Sequence, residues 1–389
     1  MPDSNVYQQE QEERPLRVLF LRSSTQSTFA AFIAGGLHHT RFDFMQYPPF
    51  PDNNLDKLKK LYDSSSGQKH LEHNLIAGRK ELREKLEQGY FDLILLLDYD
   101  ARLFRYAQMN TLKKLRNLLG QCKNIFRGSL ADRVRELNYM RGLPFTPAEL
   151  NTLAPVAVVD LDDWICLPPQ GQNLLRHCSS YYKRELPFNR FFLYYQQRPA
   201  PWRVWRKKLA PVCAKARNIP LGVEDKKYYD LKARRKDKQE IDIFYCGLPT
   251  SSPRLTALEQ LKKMAITTKW NIVIADTLPF NEYCDIISRS KITISISGGG
   301  WDCFRHYEAV ALGSLPLMDR PVVDAIWWQN LPDVLFFSNT FQNFQNRIDT
   351  LLSDASLRNS CLTKLEKVFE SHMLHSKIVE HIVSTSLKG

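Results

Sequence analysis

The feature that most constrains this chain is a recurring rhythm. A short apolar run is followed by a polar or glycine-rich turn and then by an amphipathic stretch. Leu16–Leu21 (LRVLFL) is a compact apolar strand, followed by the polar turn Arg22–Thr28 and the helix-like Phe29–Leu37. Phe91–Leu97 is a second buried strand ending in Asp98, Tyr99 and Asp100, and Val156–Val159 a third ending in Asp160, Leu161, Asp162 and Asp163. Helical stretches fall between them, at Leu71–Glu87 and Thr111–Leu119. Strands of this kind alternating with helices predict a doubly wound α/β sheet. Ligands in such sheets bind beyond the carboxyl ends of the strands. Arg22–Thr25, Asp98, Asp100 and Asp160–Asp163 are therefore expected on one rim.

The rhythm breaks between Pro187 and Lys238, where prolines 187, 199, 201, 211 and 220 punctuate a basic, aromatic stretch. It restarts at the strand Ile241–Cys246 and continues through helix Leu255–Met264, strand Asn271–Ala275, helix Asn281–Ser288 and strand Ile292–Ser297. Helix Phe304–Leu312, strand Ser314–Met318, helix Val322–Trp328, strand Val334–Phe337 and helices from Phe341 complete a second Rossmann-like unit. A length of 389 residues fits two such domains. The expected division is a disordered lead-in (1–14), a Rossmann-like domain (15–198), a basic linker (199–238), a second Rossmann-like domain (239–350) and C-terminal helices (351–389).

Composition narrows the class. The longest apolar runs fall far short of the roughly 18–20 residues that cross a bilayer, and the polar N-terminus has no apolar signal core. Eight cysteines without a CxxC pair suit a reducing cytoplasm and predict neither a disulfide framework nor structural zinc. The net charge of +12 is local: residues 181–238 hold 17 Lys/Arg against 5 Asp/Glu, and the rest of the chain balances. Such a run is either a solvated face or an attraction to an anionic partner. Within it, Trp202, Trp205, Leu209, Val212 and Ala216 recur at helical spacing, with Arg203, Arg206, Lys207, Lys208, Lys215 and Arg217 between them. Residues 201–217 thus read as an interfacial helix for an anionic membrane surface, or as a helix packed on the protein itself; Pro211 interrupts the pattern.

The most specific stretch is Ser297–Met318, SGGGWDCFRHYEAVALGSLPLM. Gly298, Gly299 and Gly300 follow a strand, where they allow close approach to a ligand and positive φ. The next helix starts near Cys303, so its free N–H groups and positive dipole end face that loop. Arg305 and Glu308 lie three residues apart on one face, with Phe304, Tyr307, Val310 and Ala311 on the buried side. A guanidinium in the first turn can grip phosphate, and a carboxylate one turn later can accept two ribose hydroxyls. The alternative is an ordinary crossover whose Arg and Glu form a surface pair.

Here the chain resembles nucleotide-sugar glycosyltransferases of the GT-B architecture. Arg305-His306-Tyr307-Glu308-Ala309 with Leu312-Gly313-Ser314-Leu315-Pro316-Leu317 is similar to the donor-site signature of exostosin-like and bacterial group-1-like or CgeB-like enzymes. Gly247 with Ser251-Ser252-Pro253-Arg254 resembles their glycine, polar loop and arginine after the first donor-domain strand, and Ile219–Val223 the segment entering that domain. The resemblance covers roughly 180–320. It implies two Rossmann-like domains facing across a cleft and no cofactor beyond a nucleotide-sugar donor. The donor would lie on the C-terminal domain against Gly247, Ser252, Arg254, Gly299, Gly300, Arg305, His306 and Glu308, and a glycan or lipid-linked acceptor on the N-terminal side. One departure concerns mechanism: eight residues before Glu308, where retaining group-1 enzymes carry a second Glu, stands Gly300.

The catalytic base is expected among Asp160, Asp162 and Asp163, which can raise one another's pKa, although Asp is also a common turn and cap residue. Lys183, in Lys183-Arg184-Glu185 at a strand end, is a candidate to reach the diphosphate across the cleft. His306 either acts in the chemistry or caps its turn. Tyr283 and the loop Thr277–Phe280 either sandwich a nucleobase or pack in the core. The paired Asp-x-Asp turns also invite a metal reading, but the GT-B resemblance implies helix dipoles and basic side chains instead, so no metal is expected. Two other functions fit the same residues: a glycosyltransferase that modifies nucleic acid, the less expected partner, and a sugar-nucleotide-binding protein without catalysis. A cytoplasmic location is expected, with peripheral attachment to the inner membrane face as a variant.

Overall fold

The structure is a computed structural model that describes residues 14–22, 27–47, 74–97, 143–194 and 210–388. Residues 1–13 of the lead-in, 23–25 of the expected rim, Asp98, Asp100, the stretch 111–119 and residues 201–209 lie outside them.

The first sheet contains β1 (Arg17–Arg22), β2 (Asp43–Tyr47), β3 (Leu93–Leu97), β4 (Val156–Asp160), β5 (Ser180–Lys183) and β6 (Ala216–Asn218), in the order β2-β1-β3-β4-β5-β6. Every pairing is parallel. β3, β4 and β5 are buried at every position, which is why their apolar runs are continuous rather than alternating. Helices α1 (Ser27–His38), α2 (Arg79–Glu87), α3 (Pro147–Leu153) and α4 (Pro169–His177) accompany it. α3 starts where the sequence dictates: Thr146 and Glu149 form a reciprocal capping box around Pro147.

The second sheet contains β7 (Ile241–Cys246), β8 (Ile272–Ala275), β9 (Ser290–Ser295), β10 (Leu315–Asp319) and β11 (Phe336–Phe337), all parallel, in the order β11-β10-β9-β7-β8. Its helices are α5 (Asp225–Lys232), α6 (Ser252–Thr267), α7 (Phe280–Ser288), α8 (Phe304–Ala311), α9 (Ile326–Gln329), α10 (Phe344–Ser353) and α11 (Ala355–Val368); α12 (His375–Ser386) ends the chain's helices. Renumbered from its first strand, this order repeats the 2-1-3-4-5 order of the first sheet. The expected pair of Rossmann-like domains is the observed architecture.

The domain limits differ from the sequence reading at the two crossings. The basic linker divides: β6 completes the first sheet, while Leu221, Val223, Tyr228 and Leu231 belong to the second core. The C-terminal helices divide too. α12 returns to the first domain, where Ile378, Val379, Ile382 and Val383 pack with Val18, Phe20, Ile33 and Ala34. Tyr182 Oη donates to the Ile382 carbonyl at 3.2 Å, and Arg217 Nη1 to the Thr385 carbonyl at 2.9 Å. The crossings run side by side: Val223 N–H donates to the Met373 carbonyl and His375 N–H to the Val223 carbonyl, both at 3.0 Å. At this junction Gly222 has φ +76°. A Cβ there would come within 2.3 Å of Ile378 Cδ1, so a larger residue meets both backbone strain and a clash.

His375 is buried at the same junction, its ring beside the Leu221 and Gly222 backbone. Burial, with Lys227 nearby, pushes its imidazole down to about 4 against the pull of Asp225. The unfolded chain binds that proton near pH 6.5; the folded chain does so only near pH 4. This contribution to stability is therefore complete above pH 6.5 and is lost as pH falls toward 4. Urea unfolding at pH 7 and pH 5 should differ by about 2 kcal/mol from this group, and His375→Gln should flatten that part of the difference.

Candidate functional site

β7 and β9 are neighbours, and the chain leaves them in opposite directions: toward the edge strand β8 after β7, and toward β10 and β11 after β9. Their carboxyl ends form the topological switch point of the second sheet, where the backbone opens a crevice. Two loops line it, Gly247–Ser251 leading into α6, and 296–303 leading into α8.

Arg305, in the first turn of α8, points into this crevice toward Gly247. A Cβ on Gly247 would stand 3.2 Å from Arg305 Nη2 and 3.6 Å from Tyr245 Oη, so glycine leaves room for the guanidinium. Arg305 Nε and Nη1 are buried with no hydrogen-bond partner among the described residues. Tyr245 Oη and Ser251 Oγ are in the same condition. Leaving a buried donor unpaired costs about 1–3 kcal/mol each, and here four such atoms belong to the two adjoining strand ends and the helices that follow them. With the N-termini of α6 and α8, they make a site for an oxyanion group.

Glu308 lies one turn along α8. It is not paired with Arg305. Its Oε1 accepts from Lys227 Nζ at 2.8 Å and its Oε2 from Tyr283 Oη at 3.1 Å. The Lys227 ammonium also stands 5.4 Å from the ring centre of Phe280 and 5.7 Å from that of Phe304, both exposed. Phe304 was expected on the buried side of α8; instead it faces α5, and Tyr307, Val310 and Ala311 fill the core. Tyr283 stacks on Phe280 at 6.4 Å, and burial beside Glu308 raises its hydroxyl pKa.

The glycine triplet works differently from the sequence expectation. None of the three has positive φ; they are small because side chains press on them. A Cβ on Gly298 would come within 2.7 Å of Arg254 Nη2, on Gly299 within 2.4 Å of Asp163 Oδ2, and on Gly300 within 2.4 Å of Glu185 Oε1. Asp163 and Glu185 follow β4 and β5 of the first domain, so the carboxyl edges of the two sheets face each other at this loop. Glu185 Oε1 also accepts the Asp302 N–H at 3.0 Å, and burial raises its carboxyl pKa. Asp302 in turn accepts from Leu221 N–H at 2.7 Å and Tyr307 Oη at 2.8 Å, tying the first crossing to α8.

Several expected roles move. Asp160 is fully buried: Oδ1 accepts the Asp162 N–H at 3.0 Å, and Oδ2 accepts from Tyr181 Oη and Lys183 Nζ, each at 2.9 Å. It organises the end of β4 and is not placed to take a proton from an acceptor. Lys183 is buried in the same pair and does not reach the crevice. His306 is wholly buried, its Nδ1 2.8 Å from Ser295 Oγ and its Nε2 3.0 Å from the Trp301 carbonyl, so it braces the loop rather than facing a ligand. Asp162, next to Asp160, is half-buried, and Asp163 carries the exposed carboxylate, paired with Arg184. Arg254 holds the two loops together, Nε donating to the Ser297 carbonyl at 3.1 Å and Nη1 to Thr250 Oγ1 at 3.4 Å. Ser252 is exposed at the first position of α6. Tyr245, Lys227 and Glu185 were not anticipated as pocket residues. Tyr245 carried a faint signal as the penultimate residue of an apolar strand followed by glycine; Lys227 was one of many lysines in a basic run.

No protein-family model matches the chain, and no curated protein matches it by sequence. Solved structures match its overall course. An α-glucosyltransferase in complex with UDP and a 13-mer DNA is 11% identical over 96% of this chain and 100% of that chain, with a TM-score of 0.44. The DNA-modifying enzyme β-glucosyltransferase is 10% identical over 96% and 100%, with a TM-score of 0.43. Anabaena HepE in complex with UDP is 10% identical over 95% and 99%, with a TM-score of 0.43. Residue roles rest on the geometry above.

The contact at Gly300 is open to test. Gly300→Ala should push Glu185 off the Asp302 amide and cost about 1–3 kcal/mol, the usual range for overpacking. A melting temperature equal to wild type would show that the two edges do not depend on this contact.

Proposed function

We propose that the protein is a glycosyltransferase that binds a nucleotide-sugar donor at the β7–β9 crevice. The observation that carries this reading is the buried, partnerless guanidinium of Arg305, accompanied by Tyr245 Oη and Ser251 Oγ between two helix N-termini. A diphosphate supplies the oxygens that these donors lack. Glu308, at the next turn, is the carboxylate for ribose hydroxyls, which would take over the places of the Lys227 and Tyr283 hydrogens. Phe280 and Tyr283 offer an aromatic surface for the base. The resemblance of residues 297–318 to exostosin-like and group-1-like or CgeB-like enzymes supports the same assignment.

Transfer needs a group that accepts the proton of the attacking hydroxyl and groups that meet the charge left on the departing diphosphate. Asp163 suits the first task, as the exposed carboxylate of the β4 loop facing the glycine triplet. Arg305 and the α6 and α8 N-termini suit the second. In this reading the sugar lies between Asp163 and Arg305, with a glycan or lipid-linked acceptor entering from the first domain.

Thermal-shift titration with nucleoside diphosphates and nucleotide sugars tests the donor site, since a ligand of the folded state raises its melting temperature. Arg305→Ala should weaken binding by about 1.5–3 kcal/mol, the range for hydrogen bonds to charged groups, while melting normally without ligand. Binding of none of these nucleotides, or equal affinity in the variant, would overturn the proposal.

Turnover is expected to continue in EDTA. The donor pocket gathers cationic and helix-terminal groups that can meet the diphosphate charge themselves. Loss of turnover that Mn²⁺ or Mg²⁺ restores would instead assign a divalent cation to the diphosphate.

A further inference from the structure

Seven cysteines fall among the described residues, none of them in a disulfide. Cys178, Cys213, Cys246, Cys284 and Cys361 are buried, and Cys166 is partly exposed. Burial pushes all six of these thiols above the usual range, Cys178 to about 12 and Cys213 and Cys284 to about 11. Thiols of this kind react slowly. Cys303 is surrounded differently. It is partly exposed at the N-cap of α8, and its side chain makes no capping hydrogen bond. Its Sγ lies 3.6 Å from Ser295 Oγ and 3.8 Å from His306 Nε2. The Trp301 carbonyl at 3.0 Å can only accept, so His306 Nε2 carries a hydrogen. Nδ1, 2.8 Å from Ser295 Oγ, is then the nitrogen that takes a second proton. A proton leaving the Cys303 sulfur can pass through the Ser295 hydroxyl to Nδ1, which leaves a thiolate beside an imidazolium. Burial opposes that charge, but His306, Arg305 and Ser295 outweigh it and hold the thiol below its usual range. Arg305 is an independent sign of an anionic ligand in the same crevice, since its Nε and Nη1 are buried without a hydrogen-bond partner among the described residues.

We propose that Cys303 is a site of reversible oxidation, reacting first with a peroxide and then with a small anionic thiol, glutathione. In the first step the thiolate attacks one oxygen of hydrogen peroxide. The S–O bond forms, the O–O bond breaks and the sulfur is oxidised to a sulfenic acid; hydroxide leaves and becomes water with the proton held by His306. In the second step the glutathione sulfur attacks that of Cys303. The S–S bond forms, the S–O bond breaks, and water leaves with the proton of the attacking thiol. The carboxylates of glutathione suit the unmatched donors of Arg305 and the helix N-terminus beside it. The adduct then fills the place that the donor reading gives to the diphosphate, so oxidation closes the crevice to nucleotide. That consequence rests on the glycosyltransferase reading; the reactivity of the thiol does not.

Limiting iodoacetamide at pH 7, followed by peptide mapping of the full chain, tests the thiol. Cys303 should be alkylated before Cys166, the other described cysteine that reaches solvent. His306→Gln should slow alkylation of Cys303 roughly tenfold, the loss of thiolate when such a thiol returns to about 8.5. Ser295→Ala should slow it as well, and it decides the point if the histidine variant does not fold. Hydrogen peroxide followed by glutathione should add one glutathionyl group to the Cys303 peptide, and dithiothreitol should remove it. Thermal shift by UDP should fall after that treatment and return with dithiothreitol, whereas Cys303→Ser should respond to UDP equally before and after. Alkylation of Cys303 no faster than Cys166, or no glutathionyl group at Cys303, would overturn the modification site. Those two readouts need no nucleotide, so they stand apart from failure of the donor site. An adduct that leaves UDP binding intact would overturn the closing of the crevice.

Discussion

The split of the second sheet between β7 and β9 is the constraint on which the rest of this structure depends. Two parallel strands whose connections diverge cannot fill the space above their own ends with a crossover, so a crevice remains. Here it receives the end of Tyr245, the Gly247 loop and the first turns of α6 and α8 together. Helix N-termini are short of acceptors, and Arg305 adds a charge that the protein itself leaves without a partner. Buried polar atoms without a hydrogen-bond partner also occur elsewhere among the described residues, Tyr47 Oη and Trp328 Nε1 among them, but here four gather around one crevice.

The contrast with the first domain is instructive. There, buried charge is matched in place: Asp160 has both oxygens engaged and Lys183 closes the pair. Such a pair contributes little net stability because desolvation offsets attraction, but it fixes the end of β4 and sets the direction in which Asp162 and Asp163 leave the sheet. Glu185 performs a related task at the end of β5 by accepting the Asp302 N–H across the domain boundary. The edges are held by directional contacts, and the two crossings beside Gly222 and His375 keep the domains attached to a shared junction. A cleft built this way has one rim supplied by charge matching and the other by unmatched donors.

Much of the fold was legible because parallel strands buried on both faces leave continuous apolar runs. Ile241–Cys246 was read to the residue, and most other described strands to within a residue or two. β2 and β6 were missed because Asp43–Tyr47 mixes polar and apolar residues at an edge, and three-residue Ala216–Asn218 sits inside a basic run. The placement of Arg305 and Glu308 on one helix followed from local spacing. Their partners did not: Lys227 lies 81 residues from Glu308 in sequence, and no periodicity links them.

By itself, then, the sequence determined two wound sheets, their order along the chain and the helix that presents Arg305 and Glu308, because these depend on local hydrophobic pattern and turn chemistry. Tertiary structure decided which charges remain available. Asp160, Lys183 and His306 look as reactive as Asp163 and Arg305 in one dimension, yet packing gives the first three partners in the interior and leaves Asp163 exposed and Arg305 short of acceptors. It also decided that the glycines accommodate Arg254, Asp163 and Glu185, and that the last helix returns to the first domain. Those outcomes depend on contacts between distant segments, whose energies are set by burial and mutual geometry rather than by neighbours in the chain.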